Sequence, residues 1–150
     1  MRTILLAALL LTTSFCFAEN RVHDLATAIA KAEGFGIRGA LPTRLHNPGD
    51  LKADRGYRFP GQVGVGKGGH ARFRNDAAGW AALEHQIEKI MDGTSHYNVN
   101  MSLRQISKKY AGNWRIWSKN VAHNLGVTPS TTLWEILDTP PALESKWFTS

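Results

Sequence analysis

Between Phe35 and Arg74 the chain carries nine glycines (36, 39, 49, 56, 61, 64, 66, 68 and 69) and three prolines. Glycine and proline at that density exclude a continuous helix and call for turns and short strands. On either side the apolar residues return to helical spacing. The chain is therefore expected to fold as α+β and mainly helical, with one helix, a small glycine-rich β region, and then a run of short helices around a Trp-rich core.

Val22, Leu25, Ala26, Ile29 and Ala30 recur at three- and four-residue spacing, which predicts an amphipathic helix over residues 22–33 stopped by Gly34. Asn47-Pro48-Gly49 fits a type II turn flanked by short strands, because Pro presets the first central φ and Gly accepts a positive φ at the next. Alternation over residues 70–74 predicts another strand, after which Asn75 or Asp76 caps a helix containing Trp80, Leu83, Ile87, Ile90 and Met91 and ending near Gly93. Ser102-x-x-Gln105 reads as a capping box opening a helix to about Tyr110. Trp117, Val121 and Leu125 share one face of a further helix that Gly126 ends. Ser130 is placed to cap a last one holding Leu133, Trp134, Ile136 and Leu137, and Pro140-Pro141 begins a tail. No repeat or interdomain linker interrupts residues 19–150, so one domain is expected there.

Residues 1–18 combine Arg2, an unbroken apolar run from Ile4 to Leu11, and the ending Cys16-Phe17-Ala18. This is the pattern of a secretory signal peptide cleaved near Ala18, which implies a periplasmic or secreted product. Phe15 precedes Cys16 where lipid attachment would need a small residue. The single cysteine then leaves with the leader, and about 130 residues must be held by packing alone, without disulfides. No later apolar run is long enough to span a bilayer, so no membrane anchor is expected. Losing Arg2 lowers the formal net charge from +6 to +5. That balance suits an anionic polymer; nucleic acid is not expected, because no recognisable binding motif accompanies the charge.

One carboxylate stands out for chemistry. At 100° per residue Glu33 falls within about 40° of Val22, Ala26 and Ile29, whereas Lys31 points away. A carboxyl held in an apolar stripe keeps its proton to higher pH and can donate it to a leaving-group oxygen. The same position also suits a glutamate that bends out into solvent.

Ala32-Glu33-Gly34-Phe35, followed by Asn47-Pro48-Gly49-Asp50-Leu51, resembles the lysozyme-like domains of phage and bacterial wall-degrading proteins that carry an Asn-Pro-Gly-Asn-Leu type motif. The likeness continues in Phe73 before a helix with Gly79 and Trp80, in Tyr110-Ala111-Gly112, and in Asn120-Val121-Ala122-x-x-Leu125-Gly126-Val127. It implies a lysozyme-like fold, cleavage of peptidoglycan glycan strands between muramic acid and glucosamine, and Glu33 as the catalytic acid. Two positions depart from the pattern, with His46 in place of a second Asn and Asp50 in place of the final Asn. Asp50 thereby becomes a candidate nucleophile or base for hydrolysis, or a turn residue bonding local backbone. A lytic transglycosylase would need only the glutamate, and both schemes fit the residues. His46 and Asn47 are candidates to bind a sugar acetamide. Tyr110 is a candidate to steady the glutamate or the sugar, or else to complete the core. A catalytically inactive domain that binds cell wall or another envelope protein is the alternative reading, and no immunity or inhibitor partner is identifiable.

Other signals carry less. The run 64–69 satisfies G-x-G-x-x-G and residues 61–67 approach a phosphate loop, but no βαβ unit surrounds them, so no nucleotide cofactor is expected. A loop bordering the cleft fits this run better. Histidines 23, 46, 70, 85, 96 and 123 lack zinc-ligand spacing, so no metal is implied. Trp80, Trp117 and Trp134 fall on apolar faces and read as core. Trp114, in an expected loop beside Asn113, is the tryptophan left to stack on a sugar, with Asn113 as a neighbouring polar contact.

Overall fold

The computed structural model describes residues 21–138; the leader and the Pro140-Pro141 tail read from the sequence lie outside the described residues. Helix α1 covers residues 21–33 and buries Val22, Leu25, Ala26, Ala28 and Ala30. Gly34 ends it at φ 80°, with Gly34 N donating to Lys31 O and Phe35 N donating to Ala30 O at 2.9 Å. This double closure needs a left-handed residue after the helix, and glycine adopts it without a Cβ clash. Glu33 is thereby fixed as the last helical residue.

The glycine-rich region forms α2 (Leu41–Arg44), β1 (Gln62–Val65), a 3-10 turn (Lys67–Gly69) and β2 (Ala71–Phe73). β1 and β2 pair antiparallel with Gln62 opposite Phe73 and Val65 opposite Ala71, and an irregularity lies between Gln62 and Gly64. On the other edge of β2, Lys52 bridges His70, and Ala71 N donates to Leu51 O. The architecture is α+β, as the sequence predicts, but its detail differs near the motif. The segment before Asn47 is a single helical turn opened by Pro42 rather than a strand, since proline is preset for a first helical turn.

The turn at the motif is not type II either. Asp50 N donates to Asn47 O at 3.0 Å, yet the positive φ values fall on His46 (52°) and Asp50 (48°), outside the central pair, and not on Gly49. Gly49 is needed for room instead: a Cβ there would stand 2.7 Å from Leu83 Cδ1.

The helical half follows the caps read in the sequence. Asn75 accepts from Ala78 N to open α3 (Asp76–Met91), and Ser102 with Gln105 forms both halves of a capping box on α4 (Leu103–Tyr110). α5 spans Trp114–Leu125 and closes on left-handed Gly126. α6 (Leu133–Asp138) is capped by Thr132 rather than Ser130: Thr132 Oγ1 accepts from Glu135 N, and Glu135 Oε2 accepts from Thr132 N at 2.7 Å. Ser130 instead bonds Thr128, two residues too early to cap.

Leu25, Phe73, Leu83, Leu103, Trp117, Val121 and Leu133 form one core between α1, β2 and the later helices. Trp80 packs against its edge, whereas Trp134 is 55% exposed, a correction to its expected core position: α6 buries Leu133, Ile136 and Leu137 and turns the indole outward. Among the described residues no helix is long and apolar enough to cross a membrane.

One glycine decides how α3 meets the motif. A methyl on Gly79 would collide with the carbonyl oxygen of His46 and press to 2.7 Å on Pro48 Cδ. Alanine in a helix ordinarily gains up to about 1 kcal/mol over glycine. Here Gly79→Ala is expected to reverse that sign and cost at least about 2 kcal/mol, as over-packing does. Urea unfolding of the variant measures it, and a stabilised variant would show that α3 and the motif can separate at no cost.

Candidate active site

α1, the motif turn, the segment after it, α3, α4 and α5 enclose a cleft of about 1070 Å³. Glu33 enters it from the end of α1 and Asp50 from the motif turn, with Tyr110, Asn113 and Trp117 on the wall formed by α4 and α5. Ile29, Ala32, Leu83, Ile87, Ile90 and Ile106 supply its apolar lining.

The Glu33 side chain accepts a hydrogen bond from the Trp117 indole, Nε1 to Oε1, at 2.6 Å. Burial, opposed by that bond and reinforced by the charge of Asp50, raises its pKa from 4.5 to about 7. The carboxyl is therefore close to half-protonated at neutral pH, as its place in the apolar stripe of α1 predicts. Trp117 is itself buried at 6% exposure and packs at 5.1 Å against the Tyr110 ring. It is a core residue, as its spacing suggests, and also the proton-side partner of Glu33, which its spacing does not reveal.

Tyr110 supports the site without touching Glu33 by hydrogen bond. Its hydroxyl donates to Gly49 O, tying the end of α4 to the motif turn. Burial, then the nearby Glu33 and Asp50 carboxyls and Tyr97, hold its phenol well above the usual tyrosine range, so it remains a donor. Asp50 is also raised from its ordinary carboxylate value by burial, with His70 and Lys52 pulling the other way. His70 Nδ1 lies 2.8 Å from Asp50 Oδ1, and His70 Nε2 lies 2.7 Å from Lys52 Nζ. Neither His70 nor Lys52 is singled out by the sequence. The only hint there is the strand register that brings residues 52 and 70 together.

Three expected sugar contacts fall elsewhere. Asn47 is 0% exposed, and its amide is consumed by backbone: Nδ2 donates to Leu51 O and Ala71 O, and Oδ1 accepts from Leu51 N, all at 2.9 Å. It locks the irregular motif turn to β2 and has nothing left for a ligand. His46 turns away from the cleft and pairs with Asp76 at 2.6 Å on exposed surface, where its left-handed backbone directs it. Trp114 is the first residue of α5, not a loop residue, and its ring is flanked by Lys108 at 5.1 Å and Arg115 at 4.6 Å, outside the lining of this cleft.

The glycine run 64–69 is the β1–β2 hairpin with its 3-10 turn, leading into a strand and no helix, and it does not line the cleft around Glu33. A Cβ on Gly66 would stand 2.6 Å from Leu45 Cδ2, so close packing accounts for that glycine. Among the described residues no group of three or more His, Cys, Asp or Glu side chains is arranged to hold a metal ion.

Comparison with known proteins finds no matching family model, no matching curated protein and no matching solved structure. The chemistry of the site is therefore read from its geometry.

Two outcomes follow. Trp117→Phe keeps an aromatic ring but removes the N–H that favours the charged form of Glu33. The Glu33 titration, followed by carbon-13 NMR, is expected to move upward from about 7, by on the order of one pH unit. An unchanged midpoint would mean the indole contact has no electrostatic effect. Asn47→Ala takes their partner from Leu51 N and Ala71 O and leaves Leu51 O with Ala71 N alone, so a loss on the order of 2 kcal/mol in denaturant unfolding is expected. A variant as stable as the parent would free Asn47 for a binding role.

Proposed function

We propose that this protein is an exported lysozyme-like enzyme that cleaves peptidoglycan glycan strands at the linkage between muramic acid and glucosamine, with Glu33 as the acid. The observation that carries this reading is a carboxyl with a pKa of about 7 lining a wide cleft. A general acid works best when its pKa lies near the working pH, where it holds a proton yet releases it readily.

The cleft also suits a polymer. Its volume exceeds the roughly 300–1,000 Å³ that encloses one drug-sized ligand, so it has room for an elongated chain. Lys52, Arg55, Lys89 and Lys109 stand on its walls beside the acidic Glu33, Asp50 and Asp54. That balance is compatible with strands bearing lactyl and peptide carboxylates.

In the proposed reaction Glu33 gives its proton to the bridging oxygen as the bond from C1 of the muramoyl sugar to that oxygen breaks. The positive charge left at C1 is met either by water or by the sugar's own C6 hydroxyl. Water leaves a reducing end, and Glu33 or Asp50 takes the water's proton. Internal attack leaves a 1,6-anhydro end, and Glu33 takes the hydroxyl proton. Mass spectrometry of the released muropeptides separates the two products.

Glu33→Gln tests the assignment. Release of soluble muropeptides from purified sacculi is expected to fall at least ~100-fold, the low end of what a general acid contributes. Equal release by the variant would refute it, and sacculus binding without release by the parent protein would favour a glycan-binding domain instead. Stability gives a second reading with a definite sign. The folded carboxyl holds its proton up to about 7 while the unfolded one releases it near 4.5, so stability declines as pH rises between those values and stays lower above them. Glu33→Gln escapes that decline and is expected to be more stable than the parent at pH 8, on the order of 2 kcal/mol, with no such advantage at pH 4.

A further inference from the structure

We propose that Lys52 and His70 form the positioning unit of Asp50: Lys52 fixes which imidazole nitrogen of His70 carries the proton, and that N–H is aimed at Asp50 in the cleft it shares with Glu33. This rests on reading Glu33 as the proton donor, and it adds two residues that touch no sugar themselves.

The hydrogen-bond polarity leaves one arrangement. Lys52 Nζ lies 2.8 Å from Gly68 O and 2.7 Å from His70 Nε2. An ammonium group has donors only, so Nε2 must offer its lone pair. A neutral imidazole then carries its single proton on Nδ1. Nδ1 donates to the Asp50 main-chain oxygen at 2.9 Å, and Asp50 Oδ1 lies 2.8 Å from the same nitrogen without receiving a hydrogen bond, so the ring is bonded to the Asp50 backbone and faces its carboxylate at ion-pair distance. The ordered chain runs from a cation through a ring of fixed tautomer to the Asp50 backbone, with the carboxylate beside the ring.

The backbone holds both ends of that chain. The isolated bridge between Lys52 and His70 sets the two residues opposite each other just before β2, and the His70 side chain is only 12% exposed. Asp50 sits in the left-handed region at φ 48°, which a short acidic residue tolerates better than most. Asn47 fixes it there, since Asn47 O accepts from Asp50 N and Asn47 Oδ1 accepts from Leu51 N. The groups acting on Asp50 are His70 and Lys52; those that feel its charge are Glu33 on α1 and Tyr110 on α4, whose hydroxyl is already committed to Gly49 O. Trp117 on α5 is engaged with Glu33.

The unit's effect is to favour the charged form of Asp50 against burial, in the cleft where Glu33 stands in an apolar wall. Both His70 and Lys52 lower the Asp50 pKa against the upward push of burial. Removing them raises it, so the acid-side limb of activity moves to higher pH, while the alkaline limb set by Glu33 stays near 7.

The experiment combines carbon-13 titration of the Asp50 and Glu33 carboxyls with the pH profile of muropeptide release, in His70→Leu, Lys52→Met and His70→Asn. In His70→Leu and Lys52→Met the Asp50 midpoint and the acid limb are expected to rise together, by about one pH unit. His70→Asn retains an N–H directed at Asp50 and is expected to restore most of the parent profile. Folded variants, checked by thermal melting, whose Asp50 titration matches the parent would overturn the proposal even if activity fell. Shifted Asp50 titrations in a protein that releases no muropeptide would uphold the positioning unit and defeat the enzymatic reading instead.

Discussion

Glu33 occupies a position where two opposed effects nearly balance. The apolar stripe that lets α1 pack on the core runs to the helix's last residue, so closing α1 at Gly34 necessarily carries a carboxyl into the same wall as Ile29 and Ala32. Desolvation alone would favour the neutral acid strongly; one indole N–H at 2.6 Å draws it back toward ionisation. Much of the remaining structure serves to keep these two groups together. Trp117 is held by the core face of α5 and by the Tyr110 ring, and Asn124 Nδ2 donates to Ala28 O, which ties α5 directly to α1.

The motif turn is held by the same logic from the other side. Its backbone is irregular, with left-handed residues at both flanks, and irregular buried backbone needs partners that regular structure would otherwise provide. Asn47 supplies three of these from one amide, Tyr110 supplies a fourth at Gly49 O, and the missing side chain at Gly79 lets α3 approach the carbonyl of His46. The residues that make the motif recognisable are thus mostly those that hold its shape. Asp50 and Leu51 are the ones that line the cleft.

This explains how the sequence was readable in some places and opaque in others. Periodicity and caps work over a few residues, and they located α1, α3, α4 and α5 together with the roles of Gly34, Asn75, Ser102 and Gly126. The inward face of Glu33 also follows from local helical geometry. Trp117 did not stand out because an indole on an apolar face looks the same whether or not its N–H meets a carboxylate 84 positions away. Asn47 misled for the complementary reason: a polar residue in a motif suggests a ligand, while the direction of its amide depends on strands not formed until the chain folds. Trp134 failed because a six-residue helix can bury only part of a four-residue apolar set, and the largest member was left outside.

Burial raises the pKa of both cleft carboxyls, yet different groups oppose it. Glu33 meets a neutral indole backed by apolar side chains, and nothing cationic stands among the causes of its shift. Asp50 lies beside an imidazole whose Nδ1 bonds its main-chain oxygen and whose far nitrogen is held by the Lys52 ammonium. Burial pushes both groups the same way; His70 and Lys52 pull Asp50 back, and the Trp117 N–H pulls Glu33 back. The arrangement is also self-reinforcing, because the charge kept on Asp50 is one of the reasons Glu33 retains its proton. Asp50 therefore does more than add a carboxylate: it gives His70 and Lys52 a partner in the cleft that Glu33 also lines.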